Sequence, residues 1–194
     1  MQEQNSNNVA TNCIIALGAN LPAATGTAFS TLKQSLRLFA GESLRIRKTS
    51  NWYSTPAFPA GSGPNFVNAA VLVQTALSPE GVLGALQRIE HALGRTRKNR
   101  WEPRLCDLDL IAYGDVVLPD LDTFKHWQNL AFTDQKTQTP PELILPHPRL
   151  QDRAFVLIPL KDVAPDWCHP VSGNNVTQMI DALDQSLLVD ISVL

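Results

Sequence analysis

The spacing of apolar positions in the first part of the chain changes repeatedly between the patterns of strands and of helices. Short apolar runs predict strands at residues 12–18, 44–53, 66–75 and 105–113. Apolar residues three and four positions apart predict helices at residues 27–39 and 78–93, and Ser78 is placed to cap the second. The resulting order, βαββαβ, is typical of ferredoxin-like α+β folds, with an antiparallel or mixed sheet and helices packed on one face.

The pattern is weaker in the second part of the chain, which predicts C-terminal additions to that fold. Residues 119–142 form a long polar stretch that is interpreted as an insertion, although Leu121, Phe124, Trp127 and Leu130 lie near helical spacing. An apolar segment follows at residues 154–160, and residues 176–194 predict a last helix and a closing strand. Residues 1–11 are polar and are interpreted as a disordered tail, which leaves residues 12–194 as a single domain.

Composition and charge restrict the classes of partner. Hydrophobic residues make up 44% of the 194 positions and charged residues 18%, and the formal net charge is −2. Nucleic-acid and membrane binders usually carry a basic excess, and no apolar run is long enough to span a bilayer, so neither kind of partner is expected. The three cysteines are widely spaced and odd in number, which indicates buried thiols in a reducing cytoplasm.

The segment RTRKNRWEPRLCDLDL, residues 95–110, concentrates the charge of the chain. Asp107 and Asp109 lie two positions apart in a predicted strand, so both side chains point the same way, about 6.6 Å apart along the strand. Such a pair suits magnesium, which binds through one or two carboxylates together with substrate phosphates. The arginines before it match phosphate oxygens bidentately. The segment therefore predicts a polyphosphate site, with an exposed acidic strand and a solvated basic loop as the alternative.

Five segments carry a resemblance to a known family: ALGAN (16–20), YSTPAF (53–58), NFVNAAV (65–71), RIEHALGRTRKNRWEPRLCDLDL (88–110) and LPHPRLQDRAFVLIPL (145–160). Over residues 12 to about 165 the chain resembles hydroxymethyl-dihydropterin pyrophosphokinase. The resemblance implies transfer of a pyrophosphoryl group from ATP to the hydroxymethyl oxygen of a reduced pterin in folate synthesis, with release of AMP. It also implies a ferredoxin-like fold, and we expect a monomer that acts on these small molecules.

The resemblance assigns roles residue by residue. Asp107 and Asp109 would bind two magnesium ions that bridge the ATP phosphates, while Arg95 and Arg104 would hold the transferring phosphates. The nucleotide-side positions that match the family are Gln87, Glu90, Arg97, Arg100, Trp101, His147 and Arg153. The pterin-side positions are Thr55, Pro56, Phe58, Phe66, Asn68 and Phe155, with the rings of Phe66 and Phe155 enclosing the pterin and Asn68 bonding its polar edge.

Several of these residues also have a structural interpretation. Phe155 could belong to the core, His147 could support a turn between two prolines, Asn68 could pair with sheet backbone, and Glu90 could be an exposed helix residue. Three other functions stay open at the level of sequence: an RNA-binding module of the same fold, a relative that has lost catalysis, and a kinase that transfers one phosphoryl group and yields ADP.

The chain departs from the family pattern at two places. Glu102 stands where the family has glycine between Trp101 and Pro103, and it adds negative charge among arginines expected to bind phosphate. The stretch 119–142 is longer than expected between these motifs, and it is interpreted as a neutral insertion, with a lid near the nucleotide as the alternative.

We expect Glu102 to point away from the phosphates, because an inward carboxylate would repel ATP. Replacing Glu102 with glycine should therefore leave ATP affinity unchanged or improve it. Calorimetric titration with magnesium and ATP measures this directly. A clear loss of affinity in the Glu102→Gly protein would refute an outward-facing, dispensable Glu102.

Overall fold

The computed structural model describes residues 10–22, 26–57, 63–94, 105–135 and 137–194. Strands in these residues are β1 (Thr11–Ala19), β2 (Arg45–Thr49), β3 (Tyr53–Thr55), β4 (Phe66–Thr75), β5 (Asp107–Tyr113) and β6 (Ser192–Val193). The α-helices there are α1 (Ala28–Leu38), α2 (Pro79–Ala92), α3 (Leu121–Gln128), α4 (Phe132–Gln135), α5 (Ala154–Val163) and α6 (Val176–Asp181). No helix in the described part of the chain is both long and apolar enough to cross a membrane.

The described strands form one antiparallel sheet in the order β5-β1-β4-β3-β6, with β2 also paired to β4. Strand β1 lies between β5 and β4, and it runs against β4 from the pair Thr11–Thr75 to the pair Ala19–Val67. This arrangement confirms the predicted ferredoxin-like α+β fold, in which the last strand of the βαββαβ unit lies beside the first. Strand β1 already begins at Thr11, the last residue of the expected tail.

The single strand predicted at residues 44–53 is wrong, because two separate strands, β2 and β3, follow one another along the edge of β4. The register shifts between Ile46 and Lys48, and β2 ends before Ser50. The backbone N–H of Ser50 donates to the Ala70 carbonyl at 2.9 Å, and its hydroxyl accepts the Ala70 N–H at 2.9 Å. The Ser50 hydroxyl thus replaces a backbone acceptor in the hydrogen bonds between the strands. A pattern of apolar and polar residues does not reveal such a replacement.

Helices cover both faces of the sheet, whereas the sequence predicted them on one face. Helices α1 and α2 contribute Leu32 and Leu86 to a core with Ile15 and other residues of one sheet face. On the opposite face α5 and α6 form a second core, in which residues of both helices pack on Ile14, Ala70 and Ala112. The second layer was missed because α5 reads as a uniformly apolar run, which does not indicate which sheet face it covers.

The interpreted insertion contains ordered secondary structure. The side chain of Asp120 accepts the Thr123 N–H at 2.9 Å and caps α3. Phe124 is fully buried, and its ring lies 5.7 Å from the buried ring of His169. The near-helical spacing in this stretch therefore reflects a short helix whose buried Phe124 packs against His169.

The cap of α2 is a feature that the sequence predicted and the structure contains. The Ser78 hydroxyl accepts the Gly81 N–H at 3.1 Å, with Pro79 in the first turn.

Replacing Ser78 with alanine should lower the free energy of unfolding by about 1 kcal/mol, because one backbone donor of the first turn loses its partner. Chemical denaturation measures this difference, and Ser78→Asp, which retains an acceptor, is the matched control. Equal stability of the alanine and aspartate variants would contradict a role for the cap.

Candidate active site on the exposed end of the sheet

The register of β1 between its two neighbours aligns polar side chains across three strands. Gly18 pairs with Asn68 on β4 and with Asp107 on β5. Directly opposed residues of antiparallel strands place their side chains on the same face of the sheet. Since neighbouring strands lie about 4.8 Å apart, Asn68 and Asp107 face the same space from positions about 10 Å apart. The sheet itself thus presents an amide and a carboxylate to one ligand-sized region.

Asp109 extends this row along β5. It pairs with Ala16 and shares the face of Asp107, while Leu108 and Leu110 are buried in the opposite core. Both carboxylates are only partly buried, and the Asp109 side chain is 41% exposed. The prediction that the two aspartates point the same way, with the leucines pointing into the core, is confirmed.

Gly18 keeps the centre of this region clear. A Cβ atom built on Gly18 would lie 3.1 Å from the Asn68 Oδ1. Any larger residue at this position would therefore press on the Asn68 amide and fill the space between it and Asp107. Sequence reasoning did not assign a role to Gly18, although a glycine inside a strand is a signal of close approach by backbone or ligand.

Asn68 is held by a side chain of the neighbouring strand. Its Nδ2 donates to the Thr55 Oγ1 at 2.7 Å, and both residues are about 5% exposed or less. Thr55 pairs with Phe66, so Thr55, Phe66 and Asn68 share one face. The structure therefore brings together three predicted pterin-side residues, and Asn68 pairs with a side chain, not with sheet backbone as in the alternative interpretation. Pro56 follows Thr55 and is exposed.

A second group of predicted residues meets beside β5. The Arg153 Nη1 lies 3.9 Å from the Asp109 Oδ2 and 3.4 Å from the His147 Nε2. The Arg153 guanidinium also lies 5.7 Å from the centre of the Phe155 ring. Phe155 is 41% exposed at the start of α5, so its interpretation as a core residue is wrong. These contacts connect an arginine predicted on the nucleotide side with a carboxylate predicted to bind metal and a ring predicted on the pterin side.

His147 is held as a neutral ring by two hydrogen bonds that involve backbone groups. Its backbone N–H donates to the Ile111 carbonyl at 2.8 Å, and its Nδ1 accepts the Arg149 N–H at 3.1 Å. Burial, followed by the positive charge of Arg153, lowers the pKa of His147 to about 3. The ring is therefore uncharged from mildly acidic to neutral pH, and it supports the turn as well as contacting Arg153.

Glu90 and Gln87 lie on α2 with different surroundings. Glu90 is 4% exposed, so its interpretation as an exposed helix residue is wrong. Its Oε1 accepts the Leu108 N–H at 2.8 Å, next to Asp107 at the beginning of β5. Gln87 is exposed on the same helix. The described contact of Glu90 thus supports the backbone of the carboxylate strand.

Other predicted site residues lie outside the described residues, namely Phe58, Arg95, Arg97, Arg100, Trp101 and Arg104, together with Glu102. The described chain leads into this basic segment from the end of α2 and out of it into β5. The segment is therefore connected directly to the strand that carries Asp107 and Asp109.

The donor set fits a magnesium ion that is shared with phosphates. In the described residues no group of three or more His, Cys, Asp or Glu side chains comes together as a metal site. Asp107 and Asp109 instead supply two neighbouring, partly exposed carboxylates. A hard cation bound by two carboxylates takes its remaining oxygens from water and phosphate, and magnesium tolerates this better than calcium, which prefers more protein oxygens.

Comparisons with known proteins show which family the chain is similar to. Residues 14–165 match the model of the 7,8-dihydro-6-hydroxymethylpterin-pyrophosphokinase (HPPK) family. A 2-amino-4-hydroxy-6-hydroxymethyldihydropteridine pyrophosphokinase of Synechocystis is 34% identical over 171 residues, which cover 88% of this chain and 75% of that protein. The Pseudomonas aeruginosa protein of that name is 35% identical over 168 residues, covering 87% of this chain and 89% of that protein.

A solved structure shows the same fold. Wild-type HPPK-DHPS of Plasmodium falciparum superposes with a TM-score of 0.62 at 16% identity, over 89% of this chain and 44% of that chain. The present chain thus spans less than half of that structural neighbour, and the likeness concerns the fold alone. Together with the family match and the relatives above 30% identity, the conclusion is that this chain belongs to the 7,8-dihydro-6-hydroxymethylpterin-pyrophosphokinase family.

Proposed function

We propose that this chain transfers the pyrophosphoryl group of ATP to the hydroxymethyl oxygen of 6-hydroxymethyl-7,8-dihydropterin and releases AMP, a step of folate synthesis. The observation that carries the proposal is the row Asn68–Gly18–Asp107 across three strands. It places a held amide and a carboxylate on one face, at a separation that would suit a pterin beside a magnesium-bound phosphate chain. The family match over residues 14–165 supports the same assignment.

The pterin would bind at the Asn68 end of this row. A flat heterocycle with a polar edge needs an amide to pair with its donors and acceptors and apolar faces above and below. Asn68 is oriented by Thr55, while Phe66 on the same face and the partly exposed Phe155 supply rings. Pro56 and Phe58 would complete this pocket, as the family resemblance implies.

The triphosphate would bind at the aspartate end. Asp107 and Asp109 would hold magnesium, and two ions are proposed because the family resemblance implies them. When bound, magnesium neutralises phosphate charge and makes the β-phosphorus more electrophilic. Arg95 and Arg104 would hold the transferring phosphates. The remaining nucleotide-side residues are Gln87, Arg97, Arg100, Trp101, His147 and Arg153, with Glu90 acting through the backbone of β5.

In this reaction the pterin hydroxyl oxygen attacks the β-phosphorus of ATP. A new O–P bond forms, the bond from the β-phosphorus to the oxygen of the α-phosphate breaks, and AMP leaves with that oxygen. Among the described residues Asp109 is the candidate to accept the hydroxyl proton. The protein contributes mainly by holding the two substrates in line and by matching charge, since phosphoryl transfer needs little covalent assistance.

The other functional classes receive no specific support from the described residues. An RNA-binding module would use its exposed sheet face for stacked bases, whereas α5 and α6 cover much of that face here. The cytoplasmic location, the monomeric state and the absence of a nucleic-acid partner stay predictions from the sequence.

The direct test combines the purified protein with magnesium, ATP and hydroxymethyl-dihydropterin and separates the nucleotide products. AMP that depends on the pterin is expected, whereas ADP would indicate a kinase of different chemistry. Replacing Asp107 or Asp109 with asparagine should reduce AMP formation about a hundredfold or more, because the metal loses a charged ligand.

Asp115→Asn is the matched control for these variants, because Asp115 is an exposed aspartate just beyond β5. It should retain the AMP formation of the unmodified protein. Full activity of either Asp107→Asn or Asp109→Asn would remove the metal assignment, and no pterin-dependent AMP from the unmodified protein would refute the proposed function.

The hydrogen bond between Asn68 and Thr55 predicts how the KM for the pterin depends on the Thr55 hydroxyl. Replacing Thr55 with valine keeps the shape but removes the acceptor of the buried Asn68 amide, so the amide loses its orientation. The KM for the pterin should rise about tenfold, with the KM for ATP changed little. Steady-state kinetics with each substrate varied measures both constants. Thr55→Ser, which retains the hydroxyl, should behave like the unmodified protein, and equal kinetics for the valine and serine variants would contradict the role of the hydrogen bond.

A further inference from the structure

Strand β3, which carries Thr55, is short and lies near the edge of the sheet. It pairs with β4 through Tyr53, Ser54 and Thr55 only, and with β6 through Tyr53 and Ser54. Beside it, the N–H of Leu194 donates to the Trp52 carbonyl at 2.9 Å. By contrast, β1 pairs with β4 along nine residues. A three-residue strand is positioned by few backbone hydrogen bonds, so other contacts have a large influence on where Thr55 lies.

One such contact comes from α5. The Asp162 Oδ2 accepts three hydrogen bonds, from the Asn51 N–H at 3.0 Å, the Asn51 Nδ2 at 3.1 Å and the Tyr53 hydroxyl at 2.8 Å. Burial and the hydrogen bond to Asp162 raise the pKa of Tyr53, so its hydroxyl remains a donor at neutral pH. A single carboxylate oxygen thus connects the last turns of α5 to the beginning of β3.

The geometry of α5 relates this contact to the other side of the pterin pocket. Phe155 and Asp162 are seven residues apart, which places them on the same side of the helix about 10.5 Å apart along its axis. Tyr53 and Thr55 likewise share one face of β3, about 6.6 Å apart along the strand. The Asp162–Tyr53 hydrogen bond therefore joins the end of α5 to the beginning of β3. The beginning of α5 carries Phe155 and the end of β3 carries Thr55, both of which are proposed to contact the pterin.

We infer that Asp162 and Tyr53 are positioning residues for the pterin pocket: their hydrogen bond sets how α5 lies against β3 and thereby the placement of Phe155 relative to Thr55 and Asn68. The inference rests on the proposed function, which places the pterin between these elements. Neither residue is among the proposed substrate contacts: Asp162 lies two helical turns beyond Phe155, and Tyr53 is buried where it pairs with Asn68.

The effect should be confined mainly to the pterin. Asp107 and Asp109 lie on β5, on the far side of β1 from β4 and β3. They are held by the long ladder between β1 and β5 and by the Glu90 contact to Leu108. A change in the packing of α5 against β3 therefore leaves the carboxylate strand in place, although Arg153 at the start of α5 can lose its 3.9 Å contact with Asp109.

The test compares Asp162→Ala, Tyr53→Phe and the double variant in steady-state kinetics, with pterin and ATP varied in turn. Asp162→Ala should raise the KM for the pterin about tenfold, while the KM for ATP stays within about twofold. Tyr53→Phe keeps the buried ring and removes only the hydroxyl, so its fold is preserved and its smaller rise in pterin KM reports the hydrogen bond itself. The double variant should resemble Asp162→Ala, because the two changes remove one shared interaction.

Asp181→Ala is the matched control, because Asp181 is an exposed aspartate at the end of α6 in the same layer. It should leave both KM values unchanged. Equal rises in the KM for pterin and for ATP, unchanged kinetics in Asp162→Ala, or additive effects in the double variant would overturn the inference. Pterin-dependent AMP from the unmodified protein preserves the proposed function in each of these cases, so the two ideas fail separately.

Discussion

The antiparallel register of β1 between β4 and β5 is the constraint on which the site depends. Gly18 is opposed by Asn68 on one side and by Asp107 on the other, so one row of the sheet presents an amide, an open space and a carboxylate. A shift of one residue between β1 and β4 would turn Asn68 to the opposite face, and the same shift between β1 and β5 would turn Asp107 there. The apolar residues that alternate with them, among them Leu17 and Leu108, prevent such a shift because they belong to the core under α1 and α2.

Around this row the described site divides into two chemically distinct halves. On the side of β3 and β4, a buried amide is oriented by a neutral hydroxyl and aromatic rings lie close by. On the side of β5, Asp109 lies beside the Arg153 guanidinium, which also contacts the neutral imidazole of His147. Phe155 and Arg153 at the beginning of α5 belong to different halves and are in contact with each other. The two halves of the site therefore meet at the start of α5.

Much of the fold was predictable because the signals are local. Periodicity located α1, α2 and the longer strands, and Ser78 marked the start of α2. The spacing of Asp107 and Asp109 predicted that both aspartates lie on one face of β5 and that the leucines beside them point into the core. The break between β2 and β3 was not predictable, because it depends on a hydrogen bond from Ala70 to Ser50, twenty residues away in the chain. The placement of α5 and α6 on the second face was also missed, since an apolar helix does not indicate what it covers.

The sequence by itself determined the secondary-structure order and the succession of basic residues and two aspartates in residues 95–110. Through resemblance it also determined the family to which the chain belongs. These are properties of neighbouring residues and of motifs. Only the tertiary structure decided that Gly18 separates Asn68 from Asp107, that Glu90 is buried against the backbone of β5, and that Asp162 joins α5 to β3. Each of these depends on strand register or helix packing between residues far apart in the chain, and such contacts leave no periodic signal in the sequence.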